Sequence, residues 1–298
     1  MLFQLILNFS EKFWNKIVLK FVKAKKVKKM ARKILSLIVF LIIIITSISA
    51  SAILEIENFF ASPVSISAGQ VITVRMLVTN TGDAISSSTF ASALTVYGTG
   101  LVSYVSGPVP ASAQLNPGEG IEFTFNYASV SSGIVCYSGY AQGIDESTGN
   151  TITSAVVNSN CLNIESPASL SSFLSAIPVN VLTGGVITVI MTVTNNGEAG
   201  ALNVTPSAIN YSGTGSVSII SGPVPVSINL PGGASGSFTW TYSANGAGSI
   251  SFNGNSSGVD ENSGTIVTSM SSASNFVFIT IPLTNTPTFT FTPSYTFT

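Results

Sequence analysis

The chain has 298 residues, contains no histidine and is only 8% charged, far below the roughly 25% of ordinary soluble domains. Ten of its eleven Lys and Arg residues fall within residues 12–33, which leaves one basic and eleven acidic residues, a net charge of −10, in residues 53–298. Nucleic acid is therefore excluded as a partner of this body, and attraction to anionic lipid is excluded with it, because both need clustered basic side chains.

The N-terminal region reads as an export signal. Residues 30–33 (MARK) end in two basic residues, residues 34–45 form an apolar run, and Ala-Ser-Ala at residues 50–52 is a small-residue cleavage triplet. This order is typical of a secretory signal, so we predict cleavage after Ala52 and a signal segment over residues 1–52. The alternative is an uncleaved membrane anchor, the only route by which this chain is expected to meet a membrane.

A Lys-rich leader precedes that signal. Residues 1–29 are amphipathic and carry most of the Lys residues of the chain. They are either a long basic region of the signal or sequence upstream of a true start at Met30. The sequence leaves both interpretations open.

The rest of the chain repeats itself at an offset of 115 residues. Residues 71–84 (VITVRMLVTNTGDA) and 186–199 (VITVIMTVTNNGEA) are identical at ten of fourteen positions. Three further matches are SGPVP at 106–110 and 221–225, FTFNY at 123–127 with FTWTY at 238–242, and GIDESTG at 143–149 with GVDENSG at 258–264. A fixed period of this kind indicates a duplication. We therefore predict two domains, residues 53–165 and 166–280, each large enough for its own core.

Within each copy the apolar residues alternate with polar ones. Period two predicts strands with one buried face, and turn signals recur about every ten residues. No helical pattern follows residue 50, so we predict about seven short antiparallel strands per copy, folded as two tandem β-sandwiches. The SGPVP motif is expected to stop an edge strand, because its prolines have no amide to donate to a ladder.

These motifs resemble those of bacterial Ig-like surface repeats. The VTNTG strand and turn, SGPVP, the G-x-x-x-F-T-[FW]-x-Y strand and the G-[IV]-D-x-x-[ST]-G hairpin are similar to cell-adhesion-related domains found in bacteria and to related conserved-repeat domains. The resemblance covers roughly residues 61–165 and 176–280. It implies an Ig-like sandwich used as a spacer or adhesive unit, and it transfers no catalytic residue.

Two cysteines, both in the first copy, are predicted to form a disulfide. If residues 148–149 make a two-residue hairpin loop, positions whose numbers sum to 297 face each other, as Cys136 and Cys161 do. They then form a non-hydrogen-bonded pair with Cα atoms about 4.5 Å apart, and export favours oxidation. The alternative is two separate thiols. Because the second copy has Ser251 and Phe276 at these positions, the bond is an addition to the fold.

The composition argues against an enzyme. Without histidine, and without Lys after residue 33, the Ser and Thr residues have no evident base to activate them. The carboxylates remain, and the best candidates are Asp145 with Glu146 and Asp260 with Glu261. We therefore predict no catalytic site and no cofactor.

Those four carboxylates are weak candidates for a Ca²⁺ site, with Asn150 or nearby carbonyls completing it. The alternative is a hairpin end at which Asp accepts local backbone amides and Glu faces water. The acidic residues Asp83 and Glu198 are expected to cap the first turn of each copy.

Tyr97, Tyr104 and Tyr140 are one further binding candidate, an aromatic platform for a glycan. The alternative is core or half-buried packing, since the second copy lacks all three tyrosines.

The C-terminal segment differs from the repeats. Residues 281–298 contain seven Thr and three Pro, a composition typical of a disordered stalk or linker. We expect further domains of a longer parent chain beyond it.

The sequence as a whole predicts a secreted or cell-surface, non-catalytic protein of spacer or adhesion modules, with a surface protein or glycan as partner. The alternative is a glycan- or calcium-binding module of a secreted, longer multidomain protein.

Overall fold

The structure, a computed structural model, describes Phe13, residues 25–45 and residues 50–282. The second of these ranges is a helix, α1 (Lys25–Ile45). Among the described residues, no helix has both the length and the apolar character that crossing a membrane requires. Parts of the predicted leader and signal (residues 1–12, 14–24 and 46–49), and all but two residues of the predicted stalk, lie outside the described residues.

The first copy forms one β-sandwich, called sandwich 1, from thirteen strands among the described residues. These are β1 (Leu54–Ser62), β2 (Ser65–Ser67), β3 (Val71–Asn80), β4 (Ser86–Ala91), β5 (Thr95–Gly98), β6 (Leu101–Val109), β7 (Ala113–Leu115), β8 (Gly120–Ser131), β9 (Gly133–Gly139), β10 (Ala141–Asp145), β11 (Thr151–Thr153), β12 (Val157–Asn158) and β13 (Leu162–Glu165).

Sandwich 1 has two layers. One layer is the sheet β1-β3-β8-β6, and the other consists of the sheets β11-β10-β4-β7 and β12-β9-β13-β2, with β5 beside β9. Only Tyr140 separates β9 from β10, so one long segment passes from one of these two sheets to the other. The pairing of β2 with β13 is parallel, and the other pairings described here are antiparallel.

The second copy repeats this plan as sandwich 2, with sheets β14-β16-β21-β19, β20-β17-β23-β24 and β15-β26-β22-β18, and β25 beside β22. Its strands are β14 (Leu170–Ile177), β15 (Asn180–Leu182), β16 (Val186–Asn195), β17 (Ala201–Pro206), β18 (Asn210–Gly213), β19 (Ser216–Val224), β20 (Ile228–Leu230), β21 (Ser235–Gly246), β22 (Gly248–Gly254), β23 (Ser256–Asp260), β24 (Ile266–Thr268), β25 (Ser272–Ala273) and β26 (Val277–Thr280).

The predicted fold class, two tandem Ig-like β-sandwiches, is confirmed. The strand number was wrong, because bulges and short loops divide the predicted strands into smaller pieces, and one pair per copy is parallel. The SGPVP motif lies at the end of β6 and β19, each the edge strand of its sheet, where the register with the neighbouring strand breaks. This agrees with the edge position that its prolines predict.

Each sandwich has its own core. The first core ends at Ile164 and the second begins at Ala168, and the predicted domain boundary lies in this gap. The alternating residues of β3 and β16 form the centre of each core, which confirms the period-two interpretation. They are Ile72, Val74, Met76 and Val78 in the first and Ile187, Val189, Met191 and Val193 in the second, all fully buried. Each such side chain contributes about 1.5–3 kcal/mol relative to exposure.

The two copies differ by two one-residue changes that cancel each other. In sandwich 1 the register of β1 against β3 shifts between Ile56 and Asn58, so Glu57 is an extra, bulged residue. In sandwich 2 the corresponding strands β14 and β16 pair without a shift. Sandwich 2 instead has one extra residue, Pro167, where its chain enters. Equivalent residues are therefore 116 positions apart between Pro167 and the bulge, as Leu54 and Leu170 are, and 115 positions apart after it.

A buried asparagine closes the turn of the VTNTG motif in each copy. The side-chain amide of Asn80 donates to the carbonyls of Ala84 and Leu115, at 2.7 and 3.1 Å. Its oxygen accepts from the backbone amides of Ile53 and Gly82, at 3.2 and 3.1 Å. Asn195 makes the equivalent bonds in sandwich 2. One side chain thus joins the entering segment, the turn and β7, which explains why the motif is repeated.

Candidate functional site

The predicted carboxylates lie in a tight turn after β10 and again after β23. In the first turn, the Asp145 amide donates to Asn150 at 2.9 Å, and the Gly149 amide donates back to Asp145 at 2.7 Å. Gly149 has a φ of 72°, a left-handed conformation that glycine adopts without strain. Asp260, Gly264 and Thr265 repeat the pattern.

The predicted two-residue loop at 148–149 is therefore wrong, because four residues lie between Asp145 and Asn150. The cysteines still face each other. The numbers of paired residues sum to 295 next to the turn, and two one-residue irregularities further along the ladder raise this sum to 297, the value that pairs Cys136 with Cys161. The pairs that mark this change are Ile144 with Thr151, Gly139 with Val157 and Val135 with Leu162.

The predicted disulfide between Cys136 and Cys161 is present, with Cα atoms 4.3 Å apart. Cys136 lies between Val135 and Tyr137, whose side chains belong to the core cluster, so strand alternation turns Cys136 to the other face, where it is 4% exposed. The bond therefore joins β9 to the segment before β13 on the outer side of the sheet. The first copy gains a covalent crosslink that the second lacks.

Asp145 holds the entering chain of sandwich 1. Its carboxylate accepts hydrogen bonds from the Ala52 amide at 3.3 Å, the Ser147 amide at 2.8 Å and the Ser147 hydroxyl at 2.6 Å. The Ser147 hydroxyl is the main reason that the pKa of Asp145 lies below its ordinary value. The carboxylate is buried, and it fixes Ala52, which is itself buried, to the turn.

Asp260 does the same in sandwich 2 and adds a contact to sandwich 1. It accepts from the Ala168 amide at 2.7 Å, and from the Ser263 amide and hydroxyl at 2.7 and 2.8 Å. The Ser67 hydroxyl lies 2.9 and 3.1 Å from its two oxygens. Burial alone raises the pKa of Asp260, but these donors outweigh burial and hold that pKa below its ordinary value.

The neighbouring glutamates, Glu146 and Glu261, are exposed. The contacts match the alternative interpretation of a hairpin end, in which Asp accepts local amides and Glu faces solvent. A Ca²⁺ ion at Asp260 needs oxygen lone pairs that amide and hydroxyl donors occupy here. Among the described residues no group of three or more His, Cys, Asp or Glu residues is placed to hold a metal ion. Calcium binding by these residues stays a prediction.

Asp83 and Glu198 were expected to cap the first turn, but the structure gives them another role. The Asp83 carboxylate accepts from the Ser51 amide at 2.6 Å, and that of Glu198 accepts from the Ser166 amide at 2.7 Å. Each therefore fastens the chain as it enters its sandwich. The bond from Ser166 is the main reason that the pKa of Glu198 is lowered.

These contacts bear on the predicted cleavage after Ala52, which stays a prediction. Ser51 accepts hydrogen bonds from the amides of Asp83 and Ala84, just as Ser166 accepts from those of Glu198 and Ala199. Cleavage after Ala52 removes these contacts from sandwich 1, whereas sandwich 2 keeps its own.

The structure does not gather the three tyrosines on one surface. Tyr104 lines a cleft between β5 and β6 with Val96, and its ring packs edge-on against Tyr127 at 5.8 Å. Tyr97 is next to Val96 in the same strand and so points to the other face. A platform built from all three residues is therefore wrong. Tyr137, which packs on Tyr127, has a buried hydroxyl without a hydrogen-bond partner among the described residues.

The sequence interpretation missed the residues that join the two sandwiches: Ser67, Gln70, Glu165 and Asn262. The available signal was that each differs from its counterpart in the other copy, at Leu182, Gly185, Thr280 and Ser147.

Comparison with protein-family models and with curated proteins gives no match. Among solved structures, the chain is similar to the Yersinia pseudotuberculosis adhesin InvE, with 15% identity and a TM-score of 0.25 over 73% of this chain and 58% of that one. The chain thus spans little more than half of that adhesin's length. The chain is also similar to the type II cohesin dyad from the adaptor ScaA scaffoldin of Acetivibrio cellulolyticus, with 8% identity and a TM-score of 0.22 over 77% of this chain and 99% of that one. A third similar structure is the C-terminal domain of the Streptococcus agalactiae AgI/II polypeptide BspA, with 9% identity and a TM-score of 0.26 over 71% of this chain and 94% of that one. Because these TM-scores are low, the fold rests on the sheet topology described above.

Proposed function

We propose that this chain is an exported, non-catalytic surface protein whose two sandwiches serve as spacer or adhesion modules. The main support is that the buried polar side chains repeated in both copies are engaged in holding the chain itself. Asn80 and Asn195 close turns, and Asp145 and Asp260 fasten entering segments. The duplication thus preserved residues of structural use, as expected of a module valued for its shape.

The disulfide supports export. Crosslinks such as Cys136–Cys161 persist in oxidising compartments and are rare in the reducing cytosol. The sparsely charged, Ser- and Thr-rich surface agrees with that environment. Secretion or cell-surface display is accordingly part of the proposal.

The sandwich edges are the most suitable surfaces for a partner protein or glycan. The edge strand β6 exposes Tyr104, Val105 and Val109, and β19 exposes Ile219 and Val224. Exposed apolar side chains along an unpaired strand favour contact with another surface. The bulged register of both strands limits pairing with a further copy of the same edge.

Intact cells of the source organism test export. Protease added to whole cells should degrade the chain in a non-reducing blot while a cytosolic control protein survives. Survival of the chain on intact cells, with degradation after lysis, would overturn the export part of the proposal.

A module exchange separates spacing from adhesion. One variant lacks residues 166–280, and a matched variant replaces them with a second copy of sandwich 1. A spacer loses surface exposure of a C-terminal epitope in the deletion and regains it in the replacement. If sandwich 2 is adhesive, both variants lose cell binding. A measured enzymatic turnover that one carboxylate substitution abolishes would contradict both roles.

A second candidate function, the alternative that the sequence left open, is binding of Ca²⁺ or a glycan, with the repeated turns at Asp145 and Asp260 as the calcium candidates. Melting temperatures with Ca²⁺ and with EDTA test the first, and a glycan array tests the second. Equal melting temperatures would remove the calcium version, and an array without hits would remove the glycan version.

A further inference from the structure

We propose that the end of sandwich 1 formed by Ser67, Gln70 and Glu165 is a docking site for the Asp260 turn of sandwich 2, and that it holds the two sandwiches in one fixed orientation. The inference goes beyond the proposed function, because it concerns the joint between the modules and holds whatever they contact.

Four side-chain contacts carry the joint. The Ser67 hydroxyl bonds the Asp260 carboxylate at 2.9 Å, and the Gln70 side-chain amide donates to the Asn262 carbonyl at 3.2 Å. The side-chain amide of Asn262 donates to the Glu165 carboxylate at 2.7 Å and lies 3.4 Å from the Ser67 hydroxyl. Sandwich 1 thus recognises the carboxylate, the backbone and the side chain of a single turn.

The centre of this contact is closed to water. Ser67 and Asp260, which face each other across the joint, are each 1% exposed. A hydrogen bond to a buried carboxylate is stronger than one between neutral groups, and opening the joint leaves that carboxylate short of one donor. The arrangement therefore resists separation of the two modules.

The connection between the modules is too short to relax this constraint. The last strand of sandwich 1 ends at Glu165, and the amide of Ala168 is already bound to Asp260. Between them the Ser166 amide is bound to the Glu198 carboxylate at 2.7 Å. Every residue of the linker except Pro167 is thus fastened.

The docking residues are specific to this joint and are not a property of the fold. At the matching end of sandwich 2, Leu182, Gly185 and Thr280 replace Ser67, Gln70 and Glu165, and none of them carries the same hydrogen-bonding group. In the first turn, Ser147 replaces Asn262, and its shorter side chain hydrogen-bonds to Asp145 and to the Ala50 carbonyl, in its own sandwich and entering segment. The aspartate is common to both turns, whereas the residues that bind the neighbouring sandwich occur only where the sandwiches meet.

The test uses the full chain with Ser67→Ala and Asn262→Ser combined. This pair removes the bonds of the Ser67 hydroxyl and of the Asn262 side chain across the joint, and it leaves the Gln70 bond and the aspartate turn of each sandwich in place. The matched control combines Ser86→Ala and Asn116→Ser, which remove comparable bonds that lie entirely within sandwich 1.

The measurement is ¹⁵N relaxation of backbone amides in both sandwiches. In the wild type and the control, one rotational diffusion tensor should fit all strands. In the Ser67→Ala, Asn262→Ser variant the two sandwiches should require separate tensors and shorter correlation times. A common tensor in that variant would overturn the proposal, and so would separate tensors in the wild type.

A milder variant covers the case in which the double variant fails to fold. Glu165→Gln weakens the contact to Asn262 at the rim of the joint and one contact to Asn163 within sandwich 1. Hydrogen exchange of the amides of Ala168 and Ser263 should then accelerate, about tenfold or less, while exchange of the Ala52 and Ser147 amides, which bind Asp145, stays unchanged. Unchanged exchange at Ala168 and Ser263 would contradict a role for Glu165 in the joint.

Discussion

The two aspartate turns occupy the same place in the two copies and have come to differ in what they hold. Asp145 binds its own turn and its own entering segment, whereas Asp260 does both and also takes a hydroxyl from the neighbouring sandwich. The comparison teaches that the two turns share their intradomain contacts, and that the contact between modules depends on the residues around a carboxylate common to both.

The two copies also differ in how their hairpins are secured. Sandwich 1 has the Cys136–Cys161 bond, and sandwich 2 has Ser251 at the position of Cys136. The hydrogen bonds beside it are the same in both. Asn160 binds both backbone groups of Ala61, as Asn275 does with Ala176. The covalent bond therefore reinforces a ladder that already has a complete set of polar contacts.

The largest expected effect is the loss of the turn asparagines. Asn80→Ala and Asn195→Ala each leave buried carbonyls and amides without partners, so each should lower the free energy of unfolding of its own sandwich by about 3–4 kcal/mol. Urea unfolding measures this, with Trp240 as the reporter of sandwich 2 in a Trp14→Phe background, which leaves one Trp in the chain. The exposed Asn245 supplies the control, Asn245→Ala, expected within about 0.5 kcal/mol of wild type. An equal loss in the control would contradict the role given to the buried pair.

Reduction of the disulfide should have the next largest effect and should act on one copy only. The bond closes a loop of 25 residues, which predicts a loss of about 3 kcal/mol from sandwich 1 on reduction. Thermal unfolding with and without reductant measures it, and the Cys136→Ser, Cys161→Ser variant should not respond to reductant. A comparable loss in sandwich 2 would show that the two modules unfold as one unit.

Acid should weaken both copies through the aspartate turns. The pKa of Asp145 and of Asp260 lies below the ordinary value of 3.8 in the folded chain, so folding favours the ionised form. Their contribution is present above about pH 4 and is lost as the pH falls through the lowered pKa. Glu119 and Glu198 act in the same direction.

The variant Asp260→Asn tests this sign. It should be less stable than wild type at pH 7, and the gap in melting temperature should close as the pH falls below 4. Asp145→Asn is the matched variant without the neighbouring sandwich, and its gap should close in the same range. A gap that is constant from pH 7 to pH 2 would exclude these carboxylates as the cause.

The smallest expected effect is an exchange of one hydroxyl between the cores. Tyr137 is buried with an unpartnered hydroxyl, and its counterpart is Phe252. Tyr137→Phe should therefore leave sandwich 1 as stable as before or stabilise it by up to about 1 kcal/mol, while Phe252→Tyr should destabilise sandwich 2 by about 1–3 kcal/mol. Urea unfolding of the two variants measures both, and a clear loss in Tyr137→Phe would mean that the hydroxyl has a bound partner in solution.

Repetition and periodicity were sufficient to predict the fold, because each sandwich buries the alternate residues of strands such as β3 and β16. The cysteine pairing was correct although the loop assumed for it was wrong, since the two later irregularities could not be read from local residues. Turn geometry alone predicts register only until the first bulge.

The contact between the two sandwiches could not be predicted from the sequence, for a different reason. Ser67 and Asp260 are 193 positions apart, and no period or spacing links a serine in one module to an aspartate in the next. The buried role of Asn80 could have been predicted, since a polar residue that is repeated at the end of an apolar strand in both copies indicates such a role. The tyrosine platform failed because alternation places Tyr97 on the face opposite to that of Val96.

The bulge at Glu57 has a consequence for anyone who recombines these modules. A crossover between β1 and β14 made at a constant offset of 115 gains or loses one residue if it falls before the bulge, and a one-residue slip turns every side chain of a strand to the opposite face. Chimeras joined between residues 58 and 62, after the bulge, should keep the alternation intact. Those joined at residues 54–56 should turn the residue before the junction, Leu54 or its counterpart Leu170, to the opposite face, whereas Phe59 and Ala61, which follow the bulge, keep their register.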